Sequence, residues 1–294
     1  MYRQVYQYAY PIDGEQPPKE CLGDRNNRKC IFCGQEKGEA TFRKDAHIIP
    51  AALGNKTLFN YCECDNCNEH IFSAFENELT NLLQLDRIFV RGRPRKGSPK
   101  YRPGKSESFI TSTPGTNQVQ IHVDKDEQTF KFEELDDGSM ILKYDSPSYI
   151  MTLVCKALVH IGWSVIPAEI KESYQYVWGW LKGDITILPL HIDKAFIKGT
   201  GMRHVVFEIW TSNSTDSANY PLIFRLTYGF TVLTFYLPTN PEIEQSPKRF
   251  IHLVHVPEEV EIDVKCLSII NEQRVKPENA QYTIRYGSKE DFSS

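Results

Sequence analysis

The chain has 294 residues, a formal net charge of −4 and 40% hydrophobic residues. Its mean hydropathy is −0.43, and no apolar run has the length of a bilayer span, so we expect a protein without membrane contact. The length suits two domains. The first residues lack the apolar core of a secretory signal, which predicts a cytoplasmic location. Such a reducing compartment disfavours disulfides for the eight cysteines.

Two Cys-x-x-Cys pairs form the most informative pattern. Cys30 and Cys33 make the first pair, Cys64 and Cys67 make the second, and 30 residues separate them. Each pair can present two thiolates from a tight turn, so the two pairs predict a structural Zn²⁺ site with four ligands and no open position. Cys62 is an alternative thiolate, but the spacing favours Cys64. A disulfide framework or four unrelated thiols are the competing interpretations.

The chain between and after these pairs resembles a known family. An Asp-Ala-His-Ile-Ile-Pro segment occupies 45–50, Leu-Gly-Asn occupies 53–55, and Asn68 follows the last cysteine. Together with the cysteine pairs, this order resembles the zinc-supported HNH endonucleases over roughly residues 28–85. The resemblance implies a ββα-metal fold, in which a hairpin carries a histidine and a helix carries the last ligand of a catalytic cation.

The same resemblance implies roles for individual residues. His47 matches the general base, and an imidazole suits that role because its ordinary pKa lies near neutral pH. Asn68 matches a ligand of catalytic Mg²⁺ or Mn²⁺. The second ligand often directly precedes the histidine, where this chain has Ala46, so Asp45 is the nearest carboxylate available. One asparagine is expected to orient the His47 ring; Asn60 and Asn55 are the two candidates, and Asn60 is favoured.

A helix is predicted directly after the second cysteine pair. Apolar residues recur at i, i+3 and i+4 over roughly 68–85, which indicates one buried face. The opposite face carries acidic residues that we expect to be solvated: Glu69, Glu76 and Glu78.

A basic segment follows this helix. The stretch from Arg87 to Lys105 contains no Asp or Glu and is punctuated by Gly and Pro, so it predicts an extended loop. Because cations on a pliable loop suit phosphate contact, it predicts nucleic-acid binding by Arg91, Arg93, Arg95 and Lys96. A solvated linker is the alternative.

The remainder of the chain predicts a larger mixed α+β domain. Alternating residues indicate a hairpin between 118–123 and 128–132. One helix is expected from after Ser148 to about Trp163, and a second from near Pro167 to just before Gly183. Further strands are expected at 185–190, 203–211, 220–228, 230–237 and 250–256. From residue 111 onward there are 17 basic and 24 acidic residues, so this part is a poor DNA clamp and is expected to position, regulate or oligomerise the nuclease.

The sequence therefore predicts an α+β protein with a small zinc-bound HNH domain. The expected parts are an arm at 1–27, the HNH domain at 28–86, a basic linker at 87–110 and the α+β domain at 111–294. The predicted function is metal-dependent hydrolysis of phosphodiester bonds, with DNA favoured over RNA. By analogy with free-standing nucleases it would serve antiviral defence, with a regulatory ligand or partner at the C-terminal domain. One alternative is a catalytically decayed zinc-knuckle module that binds nucleic acid, because Ala46 stands where the family often has an acidic ligand. A second alternative is a zinc-stabilised scaffold.

Overall fold

A computed structural model of the chain describes residues 2–90, 98–113, 118–126, 129–187, 190–197, 201–212, 222–241, 262–269, 273–276 and 280–284. Within these ranges helices and strands are mixed, which confirms the predicted α+β class.

The strands are β1 Tyr2–Pro11, β2 Glu20–Leu22, β3 Ala46–His47, β4 Leu58–Asn60, β5 Lys100–Tyr101, β6 Phe109–Ser112, β7 Val119–His122, β8 Phe130–Glu134, β9 Met140–Tyr144, β10 Tyr149–Ile150, β11 Leu190–Ile197, β12 Met202–Ser212, β13 Leu222–Gly229, β14 Thr231–Leu237, β15 Ile262–Ile269, β16 Arg274–Val275 and β17 Ala280–Ile284. The α-helices are α1 Ser73–Leu82, α2 Gln84–Phe89, α3 Met151–Val165, α4 Ala168–Lys171 and α5 Val177–Lys182. Short 3₁₀ turns lie at Ala51–Leu53 and Glu172–Tyr174, and a π-helical turn spans Cys67–Phe72.

The largest element is a six-stranded antiparallel sheet in the order β1-β12-β13-β14-β11-β15. Its centre is the hairpin of β13 and β14, whose residues are buried along both strands. Gly229, at φ +59°, lies in the two-residue turn between Tyr228 and Thr231, as the sequence predicts for a tight hairpin. The N-terminal strand β1 forms one edge of this sheet by pairing with β12, so residues 2–11 are part of the folded body.

Helix α3 covers the sheet and connects it to the cysteine-rich region. Gly162 permits a close approach, because a Cβ there would lie 2.1 Å from the Phe224 ring of β13. Two residues earlier, the His160 ring stacks on Phe72 with centroids 3.9 Å apart. Its Nε2 lies 3.1 Å from a carboxylate oxygen of Glu63, and both side chains are buried. This contact joins α3 to the chain segment directly before Cys64.

One hydrophobic core therefore runs from the cysteines through α1 and α3 to the large sheet. Helix α2 adds a polar connection, because Asp86 accepts hydrogen bonds from the backbone N–H of Phe230 at 2.7 Å and the hydroxyl of Thr231 at 3.2 Å. Arg87, the first residue of the basic segment, is also buried, and its Nε donates to the carbonyl of Ala52 at 2.9 Å.

Some sequence predictions are wrong in their pairing or limits. The expected hairpin between 118–123 and 128–132 is absent from the described residues: β7 pairs with β6, and β8 pairs with β9. The strand expected at 185–190 begins instead at Leu190, and the helix expected from 167 to 183 is divided into α4, a 3₁₀ turn and α5. The strand predicted at 250–256 lies outside the described residues.

Candidate zinc site and candidate active site

The four paired cysteines converge on one point. The Sγ atoms of Cys30, Cys33, Cys64 and Cys67 all lie within 4.8 Å of one another. Two cross-pair separations are 3.8 Å, between Cys30 and Cys67, and 3.7 Å, between Cys33 and Cys64. A tetrahedral site with Zn–S bonds of about 2.3 Å has sulfur–sulfur edges of about 3.8 Å, whereas a disulfide needs about 2.05 Å. The donor set and its spacing therefore fit a structural zinc ion, and Cys62 is not a member of this cluster.

Each cysteine pair forms a tight turn that we call a knuckle: the first runs from Cys30 to Gly34 and the second from Cys64 to Asn68. The two knuckles are closed by equivalent backbone hydrogen bonds. Gly34 donates its N–H to the carbonyl of Cys30 at 2.9 Å, and Asn68 donates to the carbonyl of Cys64 at 3.0 Å. The hydrogen-bonding contact between the sulfur atoms of Cys30 and Cys67 lowers the pKa of Cys30, and the thiolate is the form that binds zinc. Asn68 is thus the residue that completes the second knuckle.

A cleft of about 520 Å³ lies beside this cluster and gathers residues distant in sequence. Its lining consists of Lys44, Asp45, His47, Ala51, Phe59, Asn68 and Glu76, and we name it the His47 cleft. His47 enters from β3, opposite Phe59 of β4, and the two rings pack with centroids 4.5 Å apart. Asn68 enters from the π-helical turn. The order of β3, β4 and helix is the ββα order that the resemblance implies.

Asp65 connects the second knuckle to the strand that enters the cleft. Its carboxylate accepts hydrogen bonds from the backbone N–H of Arg43 at 3.1 Å and of Lys44 at 3.2 Å, and from Nε of Arg43 at 3.1 Å. Burial alone would raise the pKa of Asp65, but the hydrogen bonds from Thr41, Arg43 and Lys44 outweigh it and lower the pKa to about 2. The second knuckle therefore holds the backbone of the two residues that precede Asp45, which are Arg43 and Lys44.

Asp45 lies in the cleft, but cations already surround its carboxylate. One oxygen is 3.4 Å from Nη2 of Arg28, and the other is 3.7 Å from Nζ of Lys19. Arg28 is itself held in place, because its Nη1 donates to the carbonyl of Phe42 at 2.7 Å.

Neither Asn55 nor Asn60 belongs to the cleft lining. Asn55 braces the loop after β3: its Nδ2 donates to the carbonyls of Ile49 and Leu58, and its Oδ1 accepts the N–H groups of Thr57 and Leu58. Asn60 lies on β4 opposite Ala46, and its Oδ1 accepts the N–H of Cys62 at 2.8 Å. Their expected action on the His47 ring stays a prediction.

Glu76 is the cleft residue that sequence reasoning missed. It lies eight positions after Asn68, and in a regular α-helix that spacing turns the side chain roughly 80° away. The π-helical turn, marked by the hydrogen bond from the Ser73 N–H to the Asn68 carbonyl, contains an extra residue per turn and reduces this angle. Glu76 therefore faces the same cleft, and its carboxylate makes no ion pair with the described residues. No sequence signal marks the π turn, so helical spacing alone could not place Glu76 in the cleft.

The electrostatics of the acidic helix face also differ from the expectation of solvated side chains. Burial raises the pKa of Glu76 to about 7, with the charge on Glu63 acting in the same direction and His160 opposing it. Glu78 is buried and accepts hydrogen bonds from the N–H of Ile150 at 2.9 Å and from Arg274. Of the three glutamates, Glu69 alone is paired at the surface, with Lys44 at 2.6 Å.

The predicted nucleic-acid contacts Arg91, Arg93, Arg95 and Lys96 lie outside the described residues. None of the helices within the described ranges has the length and hydropathy that a bilayer-spanning segment requires.

Comparison with known proteins agrees with the geometry of the N-terminal region. Residues 30–84 match the family model described as HNH endonuclease. No curated protein and no solved structure shows a significant match to the chain. The matched segment contains both cysteine pairs, both strands of the cleft, Asn68 and Glu76. This N-terminal segment is therefore an HNH domain that carries a four-cysteine cluster.

Proposed function

We propose that the protein is a metal-dependent HNH endonuclease that hydrolyses phosphodiester bonds in DNA. The observation that carries this proposal is the convergence of His47, Asn68 and two carboxylates on one cleft of the matched segment. An imidazole, an amide oxygen and carboxylates are the groups that a hydrolytic centre with one cation needs.

His47 acts as the general base in this proposal. It removes the proton from the water that attacks phosphorus, and its ring is kept in place by Phe59. A neutral imidazole accepts a proton at neutral pH, which is why histidine serves this purpose in many active sites.

Asn68 and the carboxylates of the cleft hold the divalent cation, Mg²⁺ or Mn²⁺. Such an ion would neutralise the phosphate and stabilise the leaving oxygen. Asp45 and Glu76 both line the cleft, but Arg28 and Lys19 already compensate the charge of Asp45. Glu76 has no such partner among the described residues, so we assign it the stronger share of cation binding. A carboxylate directly before His47, where this chain has Ala46, is then not needed as a cation ligand.

The four-cysteine zinc site has a structural role. It holds Asn68 through the second knuckle and the segment before Asp45 through Asp65. One zinc ion bound to these cysteines would thus fix the positions of Asn68 and of the segment before Asp45, and the core shared with α3 continues this support into the rest of the chain.

Plasmid cleavage with and without Mg²⁺ tests the proposal. His47→Ala should lower the cleavage rate at least ~100-fold, because a general base typically contributes that much, while zinc content and DNA affinity stay close to wild type. His122→Ala is the matched control, since this histidine is exposed on β7 outside the cleft, and it should cut normally.

The alternative, a decayed binding module, predicts a different outcome. Wild-type protein would then bind DNA yet cut neither double- nor single-stranded substrates with any divalent cation. Cleavage that is unaffected by His47→Ala would instead show that another group is the base.

A further inference from the structure

A second groove, lined by residues of the HNH domain and by residues just before it, lies beside the His47 cleft. It has a volume of about 520 Å³ and is lined by Arg25, Asn26, Arg28, Lys37, Ala40, Thr41, Phe42 and Arg43; we name it the basic groove. Four of these residues are cationic, and no carboxylate is among them. In a chain with 38 acidic residues and a net charge of −4, such a lining is complementary to a polyanion.

Three of the four cations are available to a ligand. Arg28 is not, because it is buried and binds Asp45 and the Phe42 carbonyl. Arg25 and Lys37 are exposed and make no ion pair within the described part of the chain. The Arg43 side chain is 78% exposed, and its contact with Asp65 uses Nε. The outer nitrogens of a guanidinium can bind two phosphate oxygens at once.

The basic groove and the His47 cleft are continuous along the chain. Arg43 lines the groove, and the next residues, Lys44 and Asp45, line the cleft. From Arg43 to His47 the chain spans at most about 14 Å, and one DNA strand carries a phosphate about every 3.4 Å of helix axis. Phosphates within about four nucleotides of one strand can therefore reach both places. Asp65 fixes the backbone of Arg43 and Lys44, which keeps the two sites in register.

We propose that Arg25, Lys37 and Arg43 bind the phosphate backbone of the nucleic-acid strand next to the scissile bond. This inference rests on the proposed function, since it assigns the cleft to the scissile phosphate. The contacts are electrostatic and independent of sequence, so they set affinity and register and leave base recognition to other parts of the chain.

The test is salt-dependent binding of a fluorescent DNA duplex, measured by anisotropy with Ca²⁺ as the divalent cation. The groove variant carries Arg25→Gln, Lys37→Gln and Arg43→Gln. Each lost phosphate contact lowers the slope of log K against log salt by about 0.9, so we expect a loss of roughly 2 to 3 in slope together with weaker binding. The control variant removes the same charge from exposed residues elsewhere: Lys125→Gln, Lys131→Gln and Lys265→Gln.

Folding of the variants is checked by zinc content and circular dichroism. If the triple variant loses zinc, Arg25→Gln with Lys37→Gln is used instead, because neither side chain pairs with a carboxylate in the described residues, and it should lose roughly 1 to 2 in slope. A slope equal to that of the control variant would overturn the proposal. Competition by poly-glutamate as strong as that by unlabelled duplex would also overturn it, in favour of an acidic protein partner.

Failure of the nuclease proposal gives a distinguishable result. Groove-dependent binding by a wild-type protein that cuts nothing supports the basic groove and refutes the proposed activity. If the wild-type protein cleaves DNA and the groove variant binds DNA with the same salt slope as wild type, the result refutes the basic groove and supports the activity. Wild-type protein that binds no duplex, single strand or RNA refutes the basic groove.

Discussion

Replacing Glu76 by Gln should stabilise the protein in the absence of added Mg²⁺ or Mn²⁺. The pKa of this carboxyl is raised from 4.5 to about 7, chiefly by burial. Between these two pH values the folded state binds a proton that the unfolded state has lost, so stability falls as the pH rises through this window. Below 4.5 both states are protonated and the penalty disappears.

The magnitude follows from the shift of about 2.5 pKa units, since each unit corresponds to about 1.36 kcal/mol. The full penalty is about 3 kcal/mol above pH 7 and about 2 kcal/mol at pH 6. Glu76 is partly open to the cleft, and solvent screening reduces these values. We therefore expect Glu76→Gln to gain about 2 kcal/mol at pH 8 and about 1 kcal/mol at pH 6.

Urea unfolding of zinc-loaded protein, followed by tryptophan fluorescence, measures this gain. Added Mn²⁺ should then stabilise wild-type protein and have little effect on Glu76→Gln, because a cation compensates the buried carboxylate. Glu69→Gln is the control on the same helix, since Glu69 is paired with Lys44 at the surface. If Glu76→Gln is less stable than wild type at pH 8 and responds equally to Mn²⁺, Glu76 is not a cation ligand.

Two further predictions concern the zinc region. Cys67→Ser should remove zinc and unfold the N-terminal region, whereas Cys62→Ser should keep about one zinc per chain; metal analysis of both variants decides whether the four-cysteine cluster is the binding site. Asp65→Asn should lower the free energy of unfolding by about 1 kcal/mol, less than its pKa shift implies because Arg43 is solvent-exposed. The pKa of Asp65 is lowered from 3.8 to about 2, so the stabilisation that it provides is lost only as the pH falls through that window. The difference in free energy of unfolding between Asp65→Asn and wild type should therefore be equal at about pH 7.5 and about pH 5.5. A difference that changes between these two pH values would contradict the assignment.

Local pattern was sufficient to group the four cysteines and to identify strands β12, β13 and β14 of the large sheet. A spacing of two residues between cysteines allows both thiolates to bind one metal ion from a single local turn. Long apolar strands such as β13 and β14 and the apolar helix α3 are also recognisable from composition and periodicity. These features depend on near neighbours in sequence, which is the information that a single sequence contains most directly.

Only the tertiary structure decided which distant groups meet. Strand pairing depends on which faces become buried, so β7 joined β6 although alternation suggested β8. Regular helical spacing placed Glu76 on the solvated face, and one π-helical turn with burial against the core redirected it into the His47 cleft. Arg25, Lys37 and Arg43 are scattered in sequence, and the folding of the first knuckle onto the segment before His47 joins them into the basic groove. Because such contacts arise from packing between segments far apart in the chain, no local pattern encodes them.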